Sequence, residues 1–541
     1  MIKEPKELYL PYSSWRDGQI QAIEWLEEND WLRDKEAKRV KVLEAPPGSG
    51  KTGLILGLAA NNPDLRFLIL CATKLEQQQY ENNVTDESNF ISIKGRNNFH
   101  CMLKHSETVG NWEECQQKEC GLTHVNVAPC SVDDGTEFPC KLGCFYYSQL
   151  PKAREMKAVC SNYVYGLIML NYLPTALGKF DVIVEDEGHT LDAMLENFIS
   201  LKFNKRQFER LFNLPLPTMM DKVRDWKEWI SENWDELRAA TFQYNLAPED
   251  MSRKELEDFS ATEEYLSNLA KMKLTKTRWV VDEDSTKYEV RPTWVTKDSE
   301  DALFRYAPKH IIMSGTIPSE RELAKKIGLG LDKIDFLRLS NTFPPENRLI
   351  EFYPVVDLTY GNKEGNLGLL AKAVDRILAD NLNIKGLIHT KSYDIVDSLL
   401  TNSEYARYFF THNTHNRMEM LERFKMAEAP AFLVSPSMDK AVDLPGNECE
   451  LIIICKIPFL YLGTRVMKKR VKESSTYYTH ETLMVLIQMA GRGVRSEQDV
   501  CVTKVLDSKG PEFLSRASRM IPQSIQDAIR IYEETDLWDD D

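Results

Sequence analysis

Several features are missing from this 541-residue sequence, and each absence removes a class of protein. It has no uninterrupted apolar run of about 18 residues, which a membrane-spanning helix needs. Its first residues, MIKEPKELYLPYSS, lack the signal-peptide order in which basic residues precede an apolar segment. Internal repeats and low-complexity tracts are also absent. We therefore expect a soluble protein with no membrane partner, cytoplasmic in a prokaryotic, archaeal or virus-infected cell and nuclear in a eukaryote.

The sequence also lacks a positive charge balance. Its formal net charge is -15 at pH 7, so it repels polyanions at long range, and any nucleic-acid contact must come from a local basic groove. Its 43% hydrophobic content argues against disorder, and its length suffices for several domains with ordinary cores. The composition predicts a multidomain globular protein.

The stretch EAPPGSGKTG, residues 44–53, follows an apolar run and precedes LILGLAA, which gives the order strand, glycine-rich turn and helix. This is the order of a P-loop, in which backbone N–H groups, a lysine and a hydroxyl hold a nucleotide's phosphates and Mg2+. The strict pattern begins with glycine where this chain has Ala45, so the loop is a variant, and the alternative is a chance turn. The residues predicted to bind nucleotide are Gly48, Ser49, Gly50, Lys51 and Thr52, with Lys51 at the β and γ phosphates and Thr52 on Mg2+.

Hydrolysis also needs a carboxylate that holds the metal and a group that orients water. The apolar strand in FDVIVEDEGHTL, residues 180–191, delivers Asp186 and Glu187 to its carboxyl end, where ligands bind in open parallel sheets. We predict that Asp186 binds Mg2+ through water and that Glu187 polarises the attacking water. Alone, this acidic cluster would be interpreted as a solvated loop, but the P-loop favours the catalytic interpretation.

The tetrad DEGH at residues 186–189 resembles the DEAH box of superfamily 2 helicases, with Gly188 in the alanine position. Other motifs follow in the order of that superfamily. Ser314-Gly315-Thr316 resembles the motif that couples hydrolysis to DNA binding. QMAGRGVR, residues 488–495, resembles the arginine-finger motif. The resemblance implies catalytic roles for Gln488, Arg492 and Arg495, with both arginines approaching the γ phosphate from a second domain.

Further segments resemble the XPD/DinG-type iron-sulphur helicases within that superfamily. KGRNNFHC and CSNYVYGL, residues 94–101 and 160–167, resemble the sequences that flank their cluster domain. CATKLEQQQ, residues 71–79, resembles motif Ia, a DNA-backbone contact. The resemblance also implies nucleotide-binding roles for Arg16 and Gln19, in LPYSSWRDGQIQAI, and for Asp443, in the motif V-like SPSMDKAVDLPG, which has Ala441 where glycine is usual.

Six of the 11 cysteines lie between residues 101 and 144, and such clustering in an intracellular chain favours metal or cluster binding over disulphides. Four thiolates can hold a [4Fe–4S] cluster. CKLGCFYY, residues 140–147, resembles the last cysteine pair of the XPD/DinG family, and this resemblance implies Cys101, Cys130, Cys140 and Cys144 as ligands, with Cys115 and Cys120 as alternates. Structural zinc is the rival interpretation, although the CxxC spacing of zinc modules is absent. Free buried thiols are a further alternative.

Apolar strands alternate with helix-like stretches, as a parallel α/β sheet requires. The predicted fold class is therefore α/β, and the resemblance implies two RecA-like motor domains with two insertions in the first. The predicted domains are motor domain 1 (1–98, 146–200 and 292–345), an iron-sulphur cluster domain (99–145), an Arch-like helical domain (201–291) and motor domain 2 (346–541). The aromatic residues of the Arch-like region are interpreted as helical core rather than base-stacking platforms.

The resemblance implies an ATP-dependent DNA helicase that moves 5′ to 3′ on single-stranded DNA, with ATP, Mg2+ and a [4Fe–4S] cluster as cofactors. Single-stranded and forked duplex DNA are the expected partners, and a monomer is expected. DNA repair, replication and recombination are all open as the pathway. The alternative is a nucleic-acid-dependent ATPase that remodels nucleoprotein complexes without processive unwinding.

Two charged segments each have two interpretations. The basic run RVMKKRVK, residues 465–472, is a candidate contact for the DNA strand or a solvated helix face. The acidic end EETDLWDDD offers a docking segment for a protein partner, although a disordered end is the preferred interpretation.

Overall fold

The structure is a computed structural model that describes residues 2–46, 48–85, 87–99, 144–218, 222–243, 253–274, 279–317, 319–341, 343–413, 415–437, 444, 446–494 and 496–539. Within these ranges the chain forms two parallel sheets and one smaller antiparallel sheet. The predicted α/β class with two parallel-sheet domains is confirmed.

The first parallel sheet carries the P-loop and the DEGH tetrad. Its described strands are β1 (Val40–Glu44), β2 (Phe67–Cys71), β3 (Phe90–Ser92), β4 (Ala158–Asn162), β5 (Val182–Glu185), β9 (Lys309–Ser314) and β10 (Ile334–Arg338). They run in the order β10-β1-β9-β5-β2-β4-β3, and every pair is parallel. Strands β1, β2, β5 and β9 are buried along their whole length, because apolar layers cover the sheet on both faces.

Helices that pack on this sheet connect its strands. They are α1 (Asp17–Glu27), α2 (Lys51–Asn61), α3 (Lys74–Asn82), α4 (Phe145–Glu155), α5 (Tyr163–Tyr172), α6 (Leu191–Ile199), α11 (Ser299–Ala302) and α12 (Glu320–Ile327). Two of them directly follow a motif: α2 begins at the P-loop lysine, and α6 begins two residues after the histidine of the tetrad.

The second parallel sheet has the order β13-β14-β12-β15-β16-β11-β17 among the described residues. Its strands are β11 (Ile350–Val356), β12 (Lys385–His389), β13 (Phe409–Thr411), β14 (Ala431–Ser435), β15 (Leu451–Ile454), β16 (Val502–Asp507) and β17 (Ile529–Ile531). Its helices are α13 (Lys363–Ala379), α14 (Tyr393–Asn402), α15 (Arg417–Met426), α16 (Arg465–Glu473), α17 (Tyr477–Ala490), α18 (Gly510–Ala517) and α19 (Gln523–Gln526). Two apolar clusters, one on each face, cover this sheet.

The insertion predicted to be helical contains a small sheet as well. Its helices are α7 (Lys205–Phe212), α8 (Val223–Glu232), α9 (Trp234–Ala239) and α10 (Arg253–Leu274), and its strands are β6 (Leu201–Asn204), β7 (Trp279–Glu283) and β8 (Lys287–Pro292). Strand β6 alternates buried and exposed residues and β8 alternates buried and half-buried ones, which is the period-two pattern of a half-buried strand. Phe203 stacks on Trp226 and Tyr265 in the core of this unit, which is where the sequence interpretation placed the aromatic residues.

The division into domains stays a prediction. The proposed boundary between residues 345 and 346 falls between β10 of the first sheet and β11 of the second. The expectation of a disordered C-terminus is wrong as far as Leu537, because that side chain is buried and Tyr532 stacks on Tyr353 with ring centroids 4.6 Å apart. None of the described helices is long and apolar enough to cross a membrane.

Candidate active site

The loop between β1 and α2 has the backbone that a phosphate-binding turn needs. Gly48 and Gly50 have φ values of 77° and 78°, in the left-handed region that side chains other than glycine rarely adopt. Lys51, the first residue of α2, donates a hydrogen bond from Nζ to the Ala45 carbonyl oxygen at 3.3 Å. The Lys51 ammonium group therefore lies over the loop that is predicted to bind the phosphates.

Arg16 and Gln19 hold the outer side of this loop. Gln19 donates from Nε2 to the Gly50 carbonyl oxygen at 2.9 Å, and the Arg16 guanidinium donates to the Gly48 carbonyl oxygen. The Arg16 backbone N–H in turn donates to Gln19 Oε1 at 2.9 Å. A Cβ atom on Gly50 would lie 2.5 Å from Gln19 Nε2, so this contact also requires glycine. Both residues predicted to lie beside the nucleotide therefore contact the P-loop itself.

Asp186 follows β5 and is fixed by two tyrosines that the sequence reasoning missed. Tyr80 donates from its hydroxyl to Asp186 Oδ2 at 2.9 Å, and Tyr163 donates to the Asp186 carbonyl oxygen at 2.9 Å. Burial and the neighbouring Glu187 carboxylate raise the pKa of Asp186, whereas Lys51 acts to lower it. A cation near this carboxylate would favour its ionised form.

Glu187 stands in a left-handed turn with φ of 49°. Its Oε2 atom lies 3.2 Å from His189 Nδ1. Burial acts to raise the pKa of Glu187, but His189, Lys51 and Arg492 together lower it to about 2. Glu187 is therefore ionised at neutral pH, and the charges that act on it include one from the P-loop and one from the second sheet domain.

His189 joins three sequence motifs. Its Nδ1 atom lies 3.0 Å from Ser314 Oγ, and its Nε2 atom contacts Nε2 of Gln488 on α17. An Nδ1–H tautomer satisfies both sides, because Nδ1 then donates to the Glu187 carboxylate and Nε2 accepts from the Gln488 amide. The Ser314 carbonyl oxygen accepts from the Ala45 N–H at 2.9 Å. The P-loop, the DEGH tetrad, the SGT motif and α17 are thus in direct contact.

Arg492 lies just after α17, one helical turn beyond Gln488. Its charge acts on Glu187 and also on His389, whose pKa is lowered to about 3 by burial first and then by Arg492 and Lys391. Two other predicted site residues, Arg495 and Asp443, lie outside the described residues.

The comparisons with known proteins agree with this geometry. A family model described as "Helicase C-terminal domain" matches residues 378–528. A solved structure titled "XPD_Helicase" superposes with a TM-score of 0.63 at 15% identity, covering 96% of this chain and 100% of that one. The fold is that of this XPD helicase structure, with two parallel-sheet units that resemble RecA-like motor domains.

Two further proteins are similar to this chain over most of its length. The structure of S. tokodaii Xpd4 superposes with a TM-score of 0.57 at 15% identity and covers 96% of this chain and 100% of that one. A probable ATP-dependent helicase of Methanocaldococcus jannaschii is 21% identical over 89% of this chain and 90% of its own length.

Glu76 is a third carboxylate whose pKa is influenced by Asp186 and Glu187, and sequence reasoning did not single it out. Its Oε2 atom accepts from the backbone N–H groups of Ala72 and Thr73, at 2.8 and 3.0 Å, and so caps α3. Burial, followed by the charges of Glu187 and Asp186, raises the pKa of Glu76 to about 8. The signal available in the sequence was the capping-box spacing from Thr73 to Glu76.

The donor atoms at the loop fit Mg2+ and phosphate. Magnesium prefers oxygen ligands, and the hydroxyl of Thr52 and the carboxylate of Asp186 supply them. The hydroxyl of Ser49 is buried and has no hydrogen-bond partner among the described residues. A phosphate oxygen bound over the loop would provide that partner.

The cysteine segment is only partly described. Cys144 is buried and immediately precedes α4. Cys101, Cys115, Cys120, Cys130 and Cys140 lie outside the described residues. In the described part of the chain, no group of three or more His, Cys, Asp and Glu side chains could hold a metal ion. The iron-sulphur assignment therefore stays a prediction.

The basic run at residues 465–472 forms most of α16, and Arg470 fits neither of its two interpretations. Its side chain is 5% exposed, and NH2 donates to Glu196 Oε2 of α6 at 2.7 Å. Arg465 faces the small sheet of the insertion, because its NH1 group donates to the Val281 carbonyl oxygen of β7 at 3.3 Å. Periodicity alone could not reveal these partners, which are far away in sequence.

Proposed function

We propose that this protein is an ATP-dependent DNA helicase that moves 5′ to 3′ along single-stranded DNA and separates duplex DNA ahead of it. The observation that carries the proposal concerns the pKa of Glu187. The charge of Lys51 from one sheet domain and that of Arg492 from the other both act to lower this pKa. Such a site hydrolyses nucleotide efficiently only when both domains contribute their charges.

Each side chain has a distinct role in the proposed reaction. Lys51 and the P-loop N–H groups bind the β and γ phosphates, while Thr52 and Asp186 hold Mg2+, which neutralises charge on the phosphates when it is bound. Glu187, held by His189, orients and polarises the attacking water. Arg492 stabilises charge on the transferred phosphoryl group. Gln488 links α17 to the DEGH tetrad through its contact with His189, so a shift of α17 would also move His189.

Coupling between nucleotide and DNA follows from the contacts around Ser314. This residue contacts His189 through its hydroxyl and the P-loop through its carbonyl oxygen, so closure of the domains on ATP would shift the SGT segment. Alternating closure and opening would move single-stranded DNA across the two motor domains. DNA as the substrate and the 5′ to 3′ direction are supported by the XPD/DinG motif resemblance alone, whereas the names of the relatives support an ATP-dependent helicase.

The iron-sulphur part of the proposal rests on the cysteine pattern between residues 101 and 144. Cys101, Cys130, Cys140 and Cys144 would hold a [4Fe–4S] cluster, with Cys115 and Cys120 as alternates. The cluster domain and the Arch-like unit would form the wedge at which the strands separate. Contacts to the DNA backbone should give weak sequence preference and strong salt dependence.

The experiment compares two matched duplexes, one with only a 5′ single-stranded tail and one with only a 3′ tail, using anaerobically purified protein and ATP. Strand release from the 5′-tailed duplex alone supports the proposal. Release from the 3′-tailed duplex contradicts the direction. DNA-stimulated ATP turnover with release from neither favours the remodelling ATPase instead. Lys51→Ala is the control and should release no strand in any arm.

A further inference from the structure

Two helices of the first motor domain contact the second domain through buried charged side chains. Helix α6 directly follows the DEGH tetrad and α12 follows the SGT motif. A side chain of α6 contacts α16, and a side chain of α12 contacts α17, the helix that carries Gln488 and precedes Arg492. The charged contacts therefore lie between elements that carry the proposed catalytic motifs.

Lys326 of α12 lies at the centre of this contact. Its Nζ atom is 3.2 Å from Asp192 Oδ1 on α6 and 2.6 Å from Glu481 Oε1 on α17. The lysine side chain is 2% exposed, so water cannot replace either partner. One ammonium group is thus shared by carboxylates from both domains. We call Asp192, Lys326 and Glu481 the interdomain ion-pair cluster.

A second buried ion pair joins the two domains, with its cation on the second domain and its carboxylate on the first. Arg470 of α16 donates to Glu196 of α6 at 2.7 Å and from Nε to the Thr293 carbonyl oxygen at 2.7 Å. Asp192 and Glu196 are four residues apart, on one face of α6. A sliding movement between the domains would separate both cations from their carboxylates. The two ion pairs therefore favour one position of α16 and α17 relative to α6 and α12.

The ion-pair cluster and the Gln488–His189 contact join the same two segments of the chain. Glu481 and Gln488 are seven residues apart on α17, about two helical turns, and so share a face. Gln488 contacts His189, and Glu481 contacts the lysine bound to Asp192, three residues after His189. Two contacts along the same pair of segments set both the translation and the rotation of α17, and thereby the position of Arg492.

We propose that Lys326 is a positioning residue for ATP hydrolysis, which holds α17 against the DEGH helix so that Gln488 and Arg492 face Glu187. This rests on the proposed function. It acts through other residues and touches neither nucleotide nor metal. Removing its charge lowers the turnover number, while the affinity for ATP, which the P-loop provides, changes little.

The test is a charge exchange. Lys326→Glu and Glu481→Lys each place like charges together, whereas the double variant restores an opposite-charge pair between positions 326 and 481 but leaves Asp192 beside a carboxylate. Each single variant should lower the DNA-stimulated kcat at least about tenfold with KM for ATP within about twofold, and the double variant, which restores one of the two ion pairs, should regain part of the loss. Arg321→Met, an exposed change on the same helix, should leave kcat unchanged.

Two results would overturn the inference: folded single variants that keep the wild-type kcat, or a folded double variant that regains nothing. If a charge reversal prevents folding, Glu481→Gln serves instead and should lower kcat with KM retained. Wild-type protein that turns over no ATP would refute the proposed function. Hydrogen exchange then tests the cluster alone, because Lys326→Met should speed exchange in α6 and α17 but not in β1 or β5, and unchanged exchange refutes it.

Discussion

Gln488 of the second motor domain contacts His189 of the first, and His189 also contacts the Glu187 carboxylate. This contact joins residues that are 299 positions apart. It makes the orientation of the proposed water-polarising group depend on the position of α17. Hydrolysis should therefore be sensitive to a residue that need not touch the phosphate.

Gln488→Ala should reduce DNA-stimulated ATP turnover by about tenfold or more, because it removes a hydrogen bond to the group that holds an ionised carboxylate. Steady-state turnover with saturating single-stranded DNA measures the effect. Gln523→Ala is the matched control, since Gln523 makes only an exposed side-chain contact with Asp527 on the surface. Equal turnover in the two variants would show that the His189 contact is dispensable.

Gly188→Ala should destabilise the protein, although alanine is usual at this position of a DEAH box. A Cβ atom there would lie 2.2 Å from Ile312 Cγ2 and 3.2 Å from the Met313 carbonyl oxygen. We expect a loss of about 1–3 kcal/mol in the free energy of unfolding. Denaturant unfolding of both single variants and of Gly188→Ala with Ile312→Ala completes a double-mutant cycle. The double variant should be more stable than additivity predicts by about 1 kcal/mol, and strict additivity would contradict the packing explanation.

Glu76 should make stability fall as pH rises. Its pKa is raised to about 8 in the folded protein, so between its ordinary value of 4.5 and about 8 the folded state binds more protons than the unfolded state. Stability contributed by the protonated form is present below pH 4.5 and lost as pH rises through 8. Glu76→Gln keeps an oxygen for both backbone N–H groups and should gain at least about 1 kcal/mol over wild type by pH 9.

Urea unfolding at pH 5, 7 and 9 in the presence of a chelator measures this effect. Glu24→Gln, on the exposed face of α1, is the control and should follow the wild-type curve. A Glu76→Gln curve parallel to that of wild type would mean that Glu76 is already ionised at neutral pH.

Anaerobically purified protein should contain about four iron and four sulphide ions per chain. Cys144→Ser should lower the iron content and the visible absorbance, because an alcohol is a poor ligand for iron in such clusters. Cys455→Ala, a buried change in the second motor domain, should leave both unchanged. Stoichiometric zinc without sulphide would contradict the cluster and favour the zinc interpretation.

The sequence was most informative where a function depends on neighbouring residues. VKVLEA predicts a strand over residues 40–45, the structure has β1 at Val40–Glu44, and α2 begins at the predicted Lys51. The apolar runs before the DEGH and SGT motifs are likewise strands, β5 and β9. In such segments, local turn chemistry and burial on both faces of a parallel sheet act in the same direction.

Contacts between distant residues could not be predicted in this way. Tyr80 lies 106 residues before the Asp186 carboxylate that it holds, and Arg470 lies 274 residues after Glu196. Neither pair has a spacing that a helix or strand period would reveal. The short strands β6 and β8 were also missed, because the helical pattern around them dominated the interpretation of the insertion.

The central claim, that ATP is hydrolysed between Glu187 of one motor domain and Arg492 of the other, is tested most directly with Glu187→Gln. This variant keeps the size and a hydrogen-bonding oxygen of the side chain but removes its negative charge. We predict that ATP turnover with single-stranded DNA falls by at least about a hundredfold, while binding of ATP, measured by equilibrium titration, is retained. Turnover near the wild-type rate would show that Glu187 does not activate water and would contradict the account.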